Sequence, residues 1–197
     1  MPALERRRRA AAGTAAALLA GLCAVASEGH THTLDIGSLV GDFRVEAMDE
    51  TPFSLAESRG THRAVVVVFL STVCPYSRFF ARHLRELHAR YGKEGVAFLG
   101  VDSNRNESAA EMVEYVRRYG PTFPMVKDTD RHVAGVFDAR VTPEAFLVDA
   151  EGRLRYRGRI GSKIGGTELK DALEDVLAGR KVRTPSARAF GCSIPRE

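Results

Sequence analysis

The sequence predicts an α/β fold: a central mixed β-sheet flanked by helices on both faces. Three observations predict it. Residues 64–70 (Ala64-Val65-Val66-Val67-Val68-Phe69-Leu70) form a near-continuous β-branched run, the pattern of a strand covered on both sides. Amphipathic helical patterns alternate with further runs of this kind, which is how parallel strands are connected. Late in the chain a strand, a turn and a returning strand give a hairpin, which makes the sheet mixed.

The elements follow in order. Pro75 to Tyr91 places Phe79, Phe80, Leu84, Leu87, His88 and Tyr91 at helical spacing, with Arg82, Arg85, Glu86 and Arg90 on the other faces, and Gly92 and Gly95 end the helix. Residues 96–101 (Val96-Ala97-Phe98-Leu99-Gly100-Val101) read as a second buried strand. Asn106 is expected to cap a helix from about Glu107 to Tyr119, with Met112, Val113 and Val116 on its apolar side. Thr122 to Val126 reads as short and extended, and Asp130 to Phe137 as a short helix. Residues 145–148 (Ala145-Phe146-Leu147-Val148) form a third strong strand. Residues 149–152 then turn, and Leu154 to Arg157 returns beside it. A last helix runs from Thr167, its cap, to Leu177 and stops at Gly179. Residues 181–197 show little regular pattern.

The chain has 197 residues, enough for one domain with a sizeable core, and a formal net charge of +4. Most of that charge is local. Arg6, Arg7, Arg8 and Arg9 against Glu5 supply +3 within the first 26 residues, which leaves +1 for everything after them. So even a balance argues against a nucleic-acid or membrane-surface partner. The basic cluster precedes an alanine-rich apolar stretch, Ala10 to Val25, and a small-x-small site at Ala24-Val25-Ala26. Residues 1–26 thus read as an export signal, residues 27–33 as a flexible lead, 34–180 as the folded domain and 181–197 as a tail. The chain is then expected in the bacterial periplasm or outside the cell, with no stable membrane insertion once the signal is cleaved. Cleavage would remove Cys23 and leave Cys74 and Cys192 in an oxidising compartment. His30 and His32 fall in the lead and read as a solvated tail.

Cys74 is the residue that carries chemistry. It follows the buried strand and precedes Pro75 and a helix, so its thiol sits at a helix N-terminus. There the helix dipole and free backbone N–H groups favour thiolate, and proline suits the first helical turn. The usual partner position, three residues on, holds Ser77. Val141-Thr142-Pro143 stands just before the third strand, and Asp149 to Gly152 turns after it.

With these features the chain resembles a thioredoxin-fold protein of the redoxin branch, in the superfamily of alkyl hydroperoxide reductase and thiol-specific antioxidant proteins. The resemblance covers roughly Leu34 to Gly179. It implies that Pro143 is cis and faces Cys74, and that Thr142 offers backbone groups to a substrate. It implies a thiol-based oxidoreductase or antioxidant, with Cys74 attacking a disulfide sulfur or a peroxide oxygen, and with an external thiol or partner redoxin as electron donor. No organic cofactor and no metal is required.

Neither family pattern is complete. Thiol–disulfide exchange usually employs a second cysteine where Ser77 stands. The peroxidase pattern Pro-x-x-x-Thr/Ser-x-x-Cys is met by Ser71, but Val67 replaces its proline, and Arg140 lies two residues from the expected arginine position at Thr142. Ser71 and Ser77 are candidate hydrogen-bond partners of Cys74. Cys192, in the apolar island Phe190-Gly191-Cys192-Ser193-Ile194, is the candidate resolving thiol. The alternatives are a copper-handling protein drawing on His83, His88 or His132, and a binding module without turnover.

Overall fold

A computed structural model describes residues 34–162 and 166–195. The export signal, the lead, Cys23, His30 and His32 lie outside the described residues. Two short strands, β1 (Arg44–Glu46) and β2 (Pro52–Ser54), pair antiparallel before α1 (Leu55–Thr61). The central run forms β3 (Ala64–Phe69), followed by α2 (Pro75–Tyr91), β4 (Val96–Asp102), α3 (Ala109–Tyr119) and β5 (Met125–Lys127). Then come α4 (His132–Phe137), β6 (Val141–Thr142), β7 (Glu144–Asp149), β8 (Leu154–Gly158) and α5 (Glu168–Leu177). The chain closes with β9 (Ser186–Ala187) and β10 (Cys192–Ser193).

Among the described residues the main sheet has the order β5-β4-β3-β7-β8-β9, with β3 parallel to β4 and antiparallel to β7. Every side chain of β3 is buried, as a strand covered on both faces requires. Ala64, Val66 and Val68 pack with α2, α3 and α5 through Leu84, Met112 and Leu173. Val65, Val67 and Phe69 pack the other way, against Phe43, Phe53, Leu55 of α1 and Phe137 of α4. Period-two alternation in one β-branched run thus divides the core into two layers. The mixed sheet with helices on both faces is the architecture the sequence predicts.

Several local expectations are corrected. Ser108, not Asn106, caps α3: its hydroxyl accepts from the Glu111 N–H, and the Glu111 carboxylate accepts from the Ser108 N–H. Reciprocal satisfaction of two orphan donors outcompetes a lone asparagine. Val113 is exposed, and Met112 and Tyr115 form the buried side of α3. Phe79 is likewise half exposed. Thr167 is the N-cap residue of α5, but its side chain caps no N–H; the hydroxyl donates to Asp171 instead. The tail, expected to be irregular, supplies β9 and β10. Strands of two residues lie below the resolution of any periodicity.

The sheet register brings the functional loops together. Phe69, the last residue of β3, is paired with Glu144, the first of β7. The segment just before β7 therefore lies beside the segment just after β3. Thr142-Pro143 and Cys74 meet for that reason.

Candidate functional site

Cys74 is the N-cap residue of α2, with Pro75 in the first turn, and its side chain makes no capping bond. The thiol is thus left for chemistry while the first-turn N–H groups lack intrahelical partners. It is fully buried. Burial pushes the thiol up. Against burial stand the Ser77 N–H, the Cys192 thiol, the Cys192 N–H and the Tyr76 N–H, and the net effect lowers Cys74 below its ordinary value. In its protonated form Cys74 Sγ donates to the Thr142 carbonyl at 3.1 Å. On ionisation that bond is lost and the donors carry the charge.

Cys192 shows the complementary shift. Its thiol is pushed up to about 11, first by donating to Cys74, then by burial and by the negative charge of Cys74. The two shifts run in opposite directions, so Cys74 is the thiol that ionises first. Cys74 and Cys192 are free cysteines, one buried and one partly exposed. Strand pairing produces the contact: β10 runs antiparallel to β6, with Cys192 opposite Thr142. The Thr142 hydroxyl donates to the Cys192 carbonyl at 3.3 Å, and the Ile194 N–H donates to the Arg140 carbonyl at 2.9 Å. Gly191 is required beside it, because a Cβ there would stand 1.8 Å from the Thr142 carbonyl oxygen.

The other predicted residues fall around this pair. The Thr142–Pro143 peptide is cis. The Ser71 hydroxyl accepts from the Cys74 N–H at 3.1 Å, and the Ser77 hydroxyl accepts from the Ser71 N–H at 3.1 Å. Ser77 reaches Cys74 through its backbone N–H, while its side chain fixes the loop. Arg140 is not brought to the thiol. Its guanidinium is held by Asp138 at 2.7 Å and is half exposed.

Glu107 is the site residue that sequence reasoning missed. It is buried, and its carboxylate accepts from the Ser71 hydroxyl at 2.6 Å, the Thr72 hydroxyl at 2.6 Å and the Thr72 N–H. Three donors satisfy the buried charge and fix the loop that carries Cys74. A glutamate just before a helix reads as an ordinary first-turn residue, so nothing in the pattern marks it.

The histidines are placed elsewhere. His83 lies 3.8 Å from Glu86 on α2, and His88 bonds Thr122 and packs on Phe98 and Phe123. Among the described residues no group of three or more His, Cys, Asp or Glu side chains converges as a metal site would require. Beside the thiols lies an apolar groove of about 460 Å³, lined by Pro75, Tyr76, Phe79, Phe80, Pro143, Ile160 and Phe190, with Arg159 at its side. Tyr76, Phe79 and Phe190 are each about half exposed.

Comparison with known proteins agrees with this fold. The model of the AhpC/TSA family matches residues 36–157. The thiol-disulfide oxidoreductase ResA of Bacillus cereus is 25% identical over 144 residues, covering 73% of this chain and 78% of that protein. A hypothetical protein of Sinorhizobium meliloti 1021 superposes with a TM-score of 0.75 at 30% identity, covering 83% of this chain and 95% of the other. The peroxidoxin BcpB of Mycobacterium tuberculosis shares the fold, with a TM-score of 0.61 at 17% identity over 74% of this chain and 97% of that one.

Proposed function

The chain belongs to the AhpC/TSA family, and from that premise we propose a thiol-based oxidoreductase with Cys74 as nucleophile and Cys192 as resolving thiol. The observation that carries this reading is geometric: β10 seats Cys192 opposite Thr142, whose carbonyl lies 3.1 Å from Cys74 Sγ, and the lowered Cys74 and raised Cys192 agree with that placement. The missing partner at position 77 is supplied from position 192. ResA, whose name denotes thiol–disulfide chemistry, supports the reaction class.

Each step balances in atoms and electrons. The Cys74 thiolate attacks one sulfur of a disulfide; a mixed disulfide forms and the second substrate sulfur leaves as a thiolate, which takes up a proton. Cys192, once deprotonated, attacks Cys74 Sγ. The remaining substrate sulfur leaves, and two electrons have passed from the protein to the substrate. With a hydroperoxide, the thiolate takes the distal oxygen, an alcohol or water leaves, and Cys192 then displaces water from the sulfenic acid. An external thiol or partner redoxin restores the pair. It meets Cys192 first, because Cys192 is partly exposed and Cys74 is buried. Attack there expels Cys74, the lower-pKa and better leaving group.

The reading includes export, supported by the basic-then-apolar start and by the oxidising compartment such a pair suits. The copper-handling alternative has less support, because among the described residues no group of three His, Cys, Asp or Glu side chains gathers as a metal site would require. A binding module without turnover gives no reason to seat a second thiol beside Cys74. The test is peptide mapping by mass spectrometry after one equivalent of oxidant. A Cys74–Cys192 disulfide is the expected product; two separately modified thiols, with no bridge, would refute the pairing.

A further inference from the structure

The strand β6 ends at Thr142, whose carbonyl lies 3.1 Å from Cys74 Sγ. A free strand edge beside a nucleophile is where an extended polypeptide would add itself. Here that edge is already taken, by the chain's own residues Cys192 and Ser193. The seat is built rather than incidental. Gly191 sits where a Cβ would meet the Thr142 carbonyl oxygen at 1.8 Å, and Gly158 sits where a Cβ would meet the Ala187 carbonyl oxygen at 1.9 Å. The tail therefore touches β6 and β8 at two points that admit only glycine. Beyond Cys192, Ile194 is buried in the second core layer, and the Arg131 guanidinium donates to the Pro195 carbonyl. With the tail seated, Cys74 has no exposed surface.

We propose that β10 is a specificity element: it holds the Thr142 edge against polypeptide substrates and reserves Cys74 for small electrophiles, with Gly191 as the residue that lets it do so. The inference rests on the reading of Cys74 as nucleophile and adds the substrate class. The hydroperoxide is the member of that class which needs least room, since attack involves two oxygen atoms and no backbone pairing. A disulfide within a folded protein needs the Thr142 edge and reaches Cys74 only after β10 leaves. The groove bordered by Pro75, Pro143 and Phe190 is the nearby opening for a small molecule. Formation of the Cys74–Cys192 disulfide then ties the tail down covalently, so the Thr142 edge stays covered in the oxidised form while the partly exposed Cys192 remains the point of attack for the reductant.

The test compares two reagents on the native reduced chain, followed at Cys74 by peptide mapping. Iodoacetamide should modify Cys74 at least a hundredfold faster than a 5-kDa polyethylene-glycol maleimide, relative to their rates with free cysteine. Equal relative rates would overturn the proposal. Gly191→Val provides the second arm, after circular dichroism shows that it folds. Because Gly191→Val also withdraws the Cys192 donors from Cys74, the readout is a ratio: the rate of Cys74 with insulin disulfides should rise at least tenfold relative to its rate with hydrogen peroxide. An unchanged ratio in a folded Gly191→Val would equally overturn the proposal. If Cys74 reacts with neither reagent in either chain, the nucleophile reading itself fails, and that result differs from both others.

Discussion

The first turn of α2 and the C-terminal strand both reach Cys74 Sγ, one from positions 76 and 77 and the other from position 192. The first is local. A buried strand, Cys74-Pro75 and an amphipathic helix suffice to place N–H donors around the sulfur. The second depends on β10 pairing with β6, on β7 standing beside β3, and on a glycine thin enough to approach Thr142. The local segment favours the thiolate. The distant one sets Cys192 beside it and covers the site. In the proposed function, the roles that Cys-x-x-Cys concentrates in one helical turn are divided between two segments far apart in sequence.

Removing Cys74 is the most severe way to break this comparison. Cys74→Ser should lower turnover with any disulfide or peroxide by more than about a thousandfold. Activity near the native level would move the chemistry to Cys192 and make the tail the primary site. Cys192→Ser tests the distant half. Loss of a tethered thiol should slow turnover roughly a hundredfold at micromolar external donor, the usual gain of intramolecular delivery. Adding Ser77→Cys to that variant should recover most of the loss, with mass spectrometry showing a bridge from Cys74 to the thiol introduced three residues on. Failure to recover would show that the local turn cannot accept what the tail supplies.

Glu107→Ala sharpens the local half. It leaves the Thr72 N–H and two hydroxyl groups without their acceptor. A loss of about 2 kcal/mol in urea unfolding is expected, with slower disulfide formation as the loop loosens. A change below about 0.5 kcal/mol would mean that water replaces the carboxylate.

The smallest effect is in pH. Cys74 is lowered, so its alkylation rate should reach its plateau below the ordinary thiol midpoint of about 8.5. Cys192, pushed up to about 11, should titrate separately and late. The linkage signs oppose each other. For Cys74 the folded state holds the thiolate, so its stabilisation is present above the ordinary thiol pKa and is lost as pH falls through the lowered value. For Cys192 the folded state holds the proton. Its stabilisation is complete below the ordinary value and fades as pH rises toward 11. Two thiols titrating together near the ordinary value of about 8.5 would break the comparison altogether.

The residues differ in how visible they are in sequence. Ser71 and Ser77 are legible because strand–turn–helix signals are short-range, and Thr142 and Pro143 are legible through the family resemblance of the segment that enters the third strand. Cys192 is legible only as a thiol in an apolar island, since no pattern reports what lies across a sheet. Glu107 leaves no trace, because its role depends on hydroxyls more than thirty positions earlier. Arg140 is legible by position and still misleading. Asp138, two residues away, holds it in solvent.

By itself, the sequence determined the α/β architecture and the place of Cys74 at the head of a helix. Hydrophobic periodicity and helix-end chemistry act over a few residues, and those few residues are visible together in the chain. Only the tertiary structure decided what faces that thiol. Pairing register sets which distant backbones touch, and it brought Thr142, Glu107 and the Gly191–Cys192 strand around Cys74. Register is fixed by the packing of the whole sheet against both core layers, and no single segment encodes it.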